Sequence, residues 1–149
     1  MILADTVLLS GEVPRETAYE QGLLGEMVLK HGQWHDAPLI MDEQCIIINL
    51  QGKGVVVFTG CGHVGIVNAL RYARELAATR IHAIMGGFYL TGPECELRIA
   101  STIADVDKPS PDLLLSEHCT GFKAQAALSS RFGDRHLPYG VGSSFTFSS

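Results

Sequence analysis

Two histidines in similar short contexts are the residues of this sequence best placed to do chemistry. His63 lies in TGCGH and His118 lies in SEHCTG, and each follows a run of apolar residues by a few positions. Two imidazoles brought to one place could share a divalent metal ion, zinc included. Alternatively, each ring could hold its own turn through a hydrogen bond to a backbone carbonyl. Because the two contexts match, we interpret His63 and His118 as metal ligands.

The thiols beside these histidines are a second candidate set. Cys61 precedes His63 by two residues, and Cys119 directly follows His118. A Cys₂His₂ structural zinc module is therefore a formal possibility, and it is the least favoured one. Adjacent residues such as His118 and Cys119 usually point apart, and a cysteine in a Gly/Thr turn is more often a small packing residue. We expect His82 and His136 to be structural or surface residues. His31 and His35 in HGQWH would align on a helix, but the Gly and Trp of that segment argue against one, so the pair is a weak metal signal.

The elements that would position His63 and His118 are strands alternating with helices. Apolar runs at 44–50 and 54–60 are separated by QGKG, which predicts a β-hairpin. Helical spacing of apolar residues then predicts three helices near 64–78, 93–106 and 122–132, packed on one face of a sheet. Further strands are predicted in IHAIMGG, PDLLLSEHCTG and RHLPYGVGSSFTF. This order predicts an α/β layered fold.

We expect residues 1–149 to form a single domain in which 1–43 is loop-rich and 44–149 holds the sheet with its three helices. In such folds, polar residues just beyond the carboxyl ends of the strands converge on one edge, where ligands usually bind. His63, Tyr89 and His118 all stand at predicted strand ends. The sequence therefore places the candidate ligands at one edge of the sheet.

Composition limits the class of protein. The net charge of −5 and the pI near 5.6 argue against nucleic-acid binding, because no basic patch is present. The four cysteines form no C-x-x-C pair, and we interpret them as reduced thiols. Neither a signal peptide nor a membrane span is recognisable in the sequence. We expect a cytoplasmic protein that binds no nucleic acid and no membrane.

Four blocks of the sequence resemble a known family. VVVFTGCGHVGIVNALRYARE, AIMGGFYL, LLLSEHCTGFKA and RFGDRHLPYGVG are together similar to the C-terminal half of metallo-β-lactamase-fold proteins. The similar proteins are of the 7,8-dihydropterin-6-methyl-4-(β-D-ribofuranosyl)aminobenzene 5′-phosphate synthase type. The segment LLSGEVPRET resembles that family's mid-chain loop. The resemblance implies half of an αββα sandwich, with a metal site at the sheet edge and a small-molecule substrate.

The resemblance also implies roles for particular residues. His63 matches the family's third ligand block and His118 matches its last, and the ion would be zinc or another divalent metal. Tyr89 stands where the family typically has histidine in GGFHL, and a neutral phenol is a poor zinc ligand. No catalytic side chain is assigned.

A further departure from the family concerns the H-x-H-x-D-H motif, which supplies most of the metal ligands in this fold. The motif is absent from these 149 residues. We therefore expect the site of a metal-dependent hydrolase or synthase to be incomplete in this chain, which would be either a truncated product or a true half-domain. Alone, the chain is expected to be inactive and to hold metal weakly or not at all. The uncovered sheet face would call for self-association or a partner chain. The alternative is a non-catalytic binding or interaction module that has lost the metal site.

Overall fold

A mixed β-sheet forms the centre of the fold in the computed structural model, which describes residues 2–4, 6–22, 25–41 and 43–147. The strands in this part of the chain are β1 (Ile2–Ala4), β2 (Val7–Leu9), β3 (Met27–Lys30), β4 (Gln33–Asp36), β5 (Ile46–Leu50), β6 (Gly54–Phe58), β7 (Ile81–Gly87), β8 (Leu113–Glu117) and β9 (His136–Pro138). Seven of these described strands form the sheet in the order β1-β2-β5-β6-β7-β8-β9, and β3 pairs only with β4. Pairing is antiparallel from β1 to β6 and parallel from β6 to β9.

The predicted hairpin is confirmed. Strands β5 and β6 pair antiparallel, with Ile46 opposite Phe58 and Leu50 opposite Gly54. From β6 onward every connection carries a helix and returns to a parallel strand, which is the pattern that the alternating periodicity predicts. The α/β fold class is therefore confirmed.

Four α-helices lie in the described part of the chain: α1 (Ile66–Ala77), α2 (Pro93–Glu96), α3 (Ile99–Asp107) and α4 (Phe122–Phe132). The helix predicted near 93–106 is thus divided in two. Arg98 lies at the junction with φ −95° and ψ −3°, and its buried guanidinium donates to the carbonyls of Tyr19 and Gly22. These distant contacts fix the break. None of the described helices is both long and apolar enough to cross a membrane.

The main core lies between the sheet and the three longer helices. Alternate strand residues such as Val55, Val57, Ile84 and Leu114 pack with α1, α3 and α4 in one buried cluster. Their neighbours Val56, Ala83 and Leu115 point to the opposite face and form a second cluster. The predicted packing of these helices on one face is confirmed, because strand side chains alternate with period two.

The opposite face is covered in part by the end of the chain. Tyr139, Phe145 and Phe147 pack against the second cluster. The prediction of a last strand across RHLPYGVGSSFTF was wrong after Pro138, since the chain then leaves the sheet edge and crosses the face. Ile46 and Leu137 belong to this face through their pairings with Phe58 and Leu115, and they stay exposed.

The segment 1–43 is more regular than the expected loop-rich stretch. Strands β1 and β2 extend the sheet, with Val7–Leu9 paired to Ile46–Ile48, and β3 and β4 form a separate hairpin. Short strands of three or four residues give too few alternations for a period-two pattern to stand out. Strand β2 is held by its pairing with β5, and β3 and β4 are held by their pairing with each other.

Candidate metal centre

The parallel strands β6, β7 and β8 deliver the candidate site residues to one edge of the sheet. Phe58 of β6 pairs with Met85 of β7, and Gly87 of β7 pairs with Glu117 of β8. The residues that follow these strands include His63, Tyr89 and His118, so all three lie at the carboxyl edge, where α/β folds usually bind ligands. The structure gives His63 and His118 different immediate neighbours at that edge.

Glycines let the loop after β6 approach the end of β7. Gly62 has φ +80°, and a Cβ there would lie 2.3 Å from the carbonyl oxygen of Gly87. A Cβ on Gly87 would in turn lie 2.6 Å from the carbonyl oxygen of Cys61. Only residues without side chains allow this contact. The glycines around His63 therefore serve the packing of the loop that carries it.

A buried carboxylate holds His63 in place. Glu43 Oε1 accepts a hydrogen bond from the Gly62 N–H (2.7 Å), and Oε2 accepts one from the Val64 N–H (3.1 Å). Oε2 also lies 3.3 Å from His63 Nδ1. A carboxylate that contacts one ring nitrogen fixes the tautomer and orientation of the imidazole, as carboxylates do behind the histidines that bind metal ions. Glu43 thus holds the His63 ring through Nδ1.

Tyr89 covers one side of His63. The two rings meet edge to face, with centroids 4.6 Å apart. Burial, with smaller contributions from Glu26 and the nearby thiols, raises the pKa of the Tyr89 phenol, so Tyr89 is protonated at neutral pH. Its backbone has φ +51°, an uncommon value for a residue with a side chain. A protonated phenol packs against the imidazole and offers a hydrogen bond, not a metal bond.

His118 belongs to a cluster with both candidate thiols. His118 Nε2 lies 3.0 Å from Cys61 Sγ, and the ligand atoms of Cys61, His118 and Cys119 all lie within 4.8 Å of one another. The expectation that His118 and Cys119 point apart was wrong. It assumed the alternation of a strand, whereas both residues lie in a 3₁₀ turn, His118–Thr120, in which His118 has φ +37°. Consecutive side chains in such a turn can share one side.

The thiol of Cys61 is protonated at neutral pH in the absence of an ion. Partial burial raises its pKa, and the adjacent Cys119 thiol and Glu43 raise it further. A thiol binds metal as the thiolate, so an ion arriving at the cluster must displace protons. Cys61 and Cys119 are partly accessible to solvent, and His118 is exposed.

Glu20 and Arg15 support the loop from outside and were not identified from the sequence. Glu20 accepts hydrogen bonds from the N–H groups of Val67 and Asn68, so it caps the first turn of α1 although it lies far away in the chain. Burial raises the pKa of its carboxyl group. Arg15 donates to the carbonyl oxygen of His63 at 2.9 Å. No local signal marks either residue, because Glu20 contacts α1 and Arg15 contacts the loop before it, each almost fifty positions away.

Glu43 was also missed, although a signal for it existed. In the predicted hairpin, the register that pairs Ile46 with Phe58 places Glu43 level with Cys61 when it is continued. An acidic residue just before the first hairpin strand is therefore adjacent to the loop after the second. Extending the register by three residues would have found the partner of His63.

The remaining histidines occupy other settings. His82 Nδ1 pairs with Asp112 at 2.7 Å. His136 lies between the hydroxyl oxygens of Ser116 (2.7 Å from Nε2) and Ser129 (2.8 Å from Nδ1). His31 and His35 lie on the exposed β3–β4 hairpin. Within the described residues, the metal-competent cluster includes none of these four, and the helix that would have aligned His31 with His35 is replaced by the β3–β4 hairpin.

Comparison with known proteins identifies the fold and related sequences. No family model matches the chain. It is 34% identical over 123 residues to the uncharacterized protein MJ0448 of Methanocaldococcus jannaschii, covering 83% of this chain and 43% of that protein. Over 74 residues it is 36% identical to the 7,8-dihydropterin-6-methyl-4-(β-D-ribofuranosyl)-aminobenzene-5′-phosphate synthase of the same organism, covering 49% of this chain and 25% of the synthase.

The structure superposes on that of Tm1679, a metal-dependent hydrolase of the beta-lactamase superfamily. The TM-score is 0.86 with 23% sequence identity, and the match covers 100% of this chain and 56% of the hydrolase chain. The chain thus spans less than half of each curated relative and little more than half of the hydrolase. The resemblance predicted from the four sequence blocks is confirmed, and the chain has the fold of a metallo-β-lactamase superfamily hydrolase.

Proposed function

We propose that this chain carries one part of the metal site of a metal-dependent hydrolase or synthase, with His63 and His118 as ligands of a divalent ion. The observation that carries the proposal is the delivery of both histidines to one sheet edge, with His63 held by a buried carboxylate. The hydrolase that shares the fold and the synthase that shares the sequence support this class of reaction. These two similar proteins favour a hydrolase or synthase function over a non-catalytic binding or interaction module.

The side chains at the edge fit a divalent ion, and zinc is the proposed identity. Imidazole and thiol donors both suit zinc, and the Glu43 contact on His63 Nδ1 is the arrangement seen around ligating histidines. When bound, such an ion would act as a Lewis acid toward a substrate oxygen and activate water. The chain's own residues position the ring of His63, cover it with Tyr89 and keep Glu43 away from solvent.

We also propose that further ligands of the divalent ion come from outside these 149 residues. The sequence has no H-x-H-x-D-H motif, and two imidazoles are fewer than the three or four protein ligands that zinc normally uses. The completing residues would come from a preceding segment or from a second polypeptide. The chain alone would then be inactive toward its small-molecule substrate, and its two histidines alone would hold an ion weakly.

The test joins this chain to the part of Tm1679 that it does not cover and compares the joined protein with the chain alone. We expect the joined protein to bind zinc and to hydrolyse chromogenic ester or phosphodiester substrates in a metal-dependent manner. His63→Ala and His118→Ala should each abolish that activity, whereas the exposed hairpin variant His35→Ala should not change it.

The control for folding is circular dichroism together with chemical unfolding of each variant. Full metal-dependent activity in folded His63→Ala and His118→Ala variants would exclude these residues as ligands. Zinc titration of the chain alone gives a second measurement that does not require the junction to be tolerated. Zinc affinity of the isolated chain that is unchanged in both variants would contradict the proposal.

A further inference from the structure

We propose that Cys61, His118 and Cys119 bind a zinc-class ion as a Cys₂His ligand set. The inference rests on the proposed function in one respect, the use of His118 as a ligand. It goes beyond the proposed function by assigning the thiolates of Cys61 and Cys119 as further ligands. It also names a binding site that the chain can form from its own residues.

The distances in the cluster suit a tetrahedral ion. Bonds of about 2.3 Å to sulfur and about 2.0 Å to nitrogen at tetrahedral angles place the ligand atoms about 3.3–3.8 Å apart. The ligand atoms of the three residues already lie within 4.8 Å of one another, with Cys61 Sγ 3.0 Å from His118 Nε2. Small side-chain rotations would bring all three atoms to bonding distance of one ion.

The backbone holds the cluster in a conformation that is uncommon for its residues. His118 has φ +37°, a value that disfavours residues with side chains. Thr120 holds the same turn, because its hydroxyl donates to the carbonyl oxygen of Glu117 at 2.6 Å and accepts from the N–H of Phe88 at 3.3 Å. The turn therefore ties β8 to the end of β7 and keeps the imidazole and the adjacent thiol on the side of Cys61.

A hydrogen bond between a Cys61 thiol and the imidazole would also explain the 3.0 Å contact. It gives no role to Cys119, whose sulfur adds a third donor at the same point. The other two cysteines, Cys45 and Cys95, are buried singly and lie outside the cluster. The solvent-accessible thiols of the chain are thus the two that converge on a metal-competent imidazole.

The donor set determines the class of ion. Two thiolates and one imidazole favour zinc and similar soft or borderline ions over magnesium or calcium, which take oxygen ligands. Three protein ligands leave a fourth tetrahedral position open, as in catalytic and not in structural zinc sites. A fourth donor, from a substrate or from another polypeptide, would complete the site.

The experiment titrates the reduced full chain with Co²⁺, which reports sulfur ligation by an intense sulfur-to-cobalt charge-transfer band in the near ultraviolet. We expect one Co²⁺ per chain, the band, and displacement of Co²⁺ by Zn²⁺. Cys61→Ser and Cys119→Ser should each reduce the band and weaken Co²⁺ binding at least about tenfold. Cys95→Ser is the matched control, because a serine oxygen can accept the Arg98 hydrogen bond that the Cys95 sulfur accepts. It should leave the band unchanged.

Two histidine variants separate this inference from the proposed function. His118→Ala should weaken Co²⁺ binding while leaving sulfur ligation visible, and His63→Ala should keep the band at full intensity. Co²⁺ binding without the band, no binding at all, or affinity unchanged in both serine variants would overturn the inference. Co²⁺ binding that shows no sulfur band and disappears in both His63→Ala and His118→Ala would overturn this inference and support the histidine site of the proposed function. The band in a joined protein without hydrolase activity would support this inference and reject the proposed function.

Discussion

Glu43 Oε2 lies 3.3 Å from His63 Nδ1 while the same carboxylate accepts hydrogen bonds from the N–H groups of Gly62 and Val64. One buried side chain thus fixes both the loop and the imidazole that it carries. The orientation of the candidate ligand depends on a residue that lies just before β5, whereas His63 lies in the loop after β6.

Replacement of Glu43 should therefore affect both metal affinity and stability. Glu43→Gln keeps the size of the side chain but removes the charge and one acceptor oxygen, so we expect zinc affinity of the joined protein to fall by about 10- to 100-fold. A buried N–H left without a partner should also cost about 1–3 kcal/mol of the free energy of unfolding. Calorimetric zinc titration and urea unfolding measure the two effects.

The exposed Glu12→Gln variant is the control for the loss of one negative charge. It should change neither quantity. Unaltered zinc affinity in Glu43→Gln would show that Glu43 does not position His63.

Alanine substitutions at two glycines with the same φ should distinguish the stability cost of backbone strain from that of a steric clash. Gly65 and Gly92 both have φ +91° and both precede a helix, but a Cβ on Gly65 would lie 2.1 Å from the Glu20 carboxyl carbon, whereas nothing lies within 4 Å of one on Gly92. Gly92→Ala should cost about 1–3 kcal/mol from backbone strain. Gly65→Ala should cost about 1 kcal/mol more, because it also displaces the carboxylate that caps α1.

Chemical unfolding of the two variants gives the difference directly. Equal losses of stability would mean that the Glu20 cap contributes nothing to the free energy of unfolding.

His136 should make the stability of the fold depend on pH. Burial between Ser116 and Ser129 lowers its pKa from the ordinary 6.5. The unfolded chain then binds the proton more readily than the folded one, so the contribution to stability is complete above 6.5 and is lost as the pH falls from 6.5 through the folded pKa. We expect the wild-type protein to lose more stability than His136→Gln between about pH 7.5 and about pH 5.5.

Urea unfolding at the two pH values measures this difference. Because His136 lies outside the metal-competent cluster, His136→Gln should bind metal like the wild type. A pH dependence that is the same in both proteins would contradict the prediction.

The face of the sheet opposite the helices should mediate self-association. At its rim Ile46 is 41% exposed and Leu137 is 37% exposed, beside the buried Val56, Ala83 and Leu115. Burying this apolar rim against a second copy removes it from water. We expect light scattering to give a mass above the 16.1 kDa of one chain.

Ile46→Glu should shift the protein toward the monomer. Leu97→Glu places the same charge at an 87% exposed leucine between α2 and α3 and should leave the mass unchanged. A wild-type protein that remains at 16.1 kDa at high concentration would rule out self-association.

The four thiols should differ in reactivity. Cys61 and Cys119 are partly exposed, whereas Cys45 and Cys95 are buried, and burial together with nearby Glu43 raises the pKa of Cys45 to about 12. Because the thiolate is the nucleophile, iodoacetamide should modify Cys61 and Cys119 first. Added zinc should protect both residues, as read by peptide mass spectrometry. Labelling that zinc does not slow would be evidence against thiolate ligation.

The sequence was sufficient for the elements with strong periodicity. The hairpin, β7 at Ile81–Gly87 and α4 at Phe122–Phe132 follow from runs long enough to show a period of two or 3.6. The break at Arg98 and the path of the chain after Pro138 depend on contacts with distant residues, and so no local pattern predicts them.

The candidate site was predictable only in its location. Strand ends and histidines indicated the edge of the sheet, since parallel strands place their carboxyl ends together. The side-chain geometry depended on the 3₁₀ turn at His118 and on carboxylates from other segments, Glu43 and Glu20. Backbone conformation in a turn of three residues and contacts across the chain are not encoded in spacing.

The loop of His63 and the cluster of Cys61, His118 and Cys119 are held by contacts of different sequence separation. The Glu43–Gly62 bond joins residues 19 apart within the β5–β6 hairpin region, whereas the Cys61–His118 contact joins residues 57 apart. Contacts of short sequence separation cost less chain entropy and form sooner than parallel pairings across helical crossovers. The loop of His63 should therefore be shaped early, and the thiol cluster should close only when β8 docks on β7. Cobalt–sulfur absorbance during refolding would then report the docking of β8 on β7.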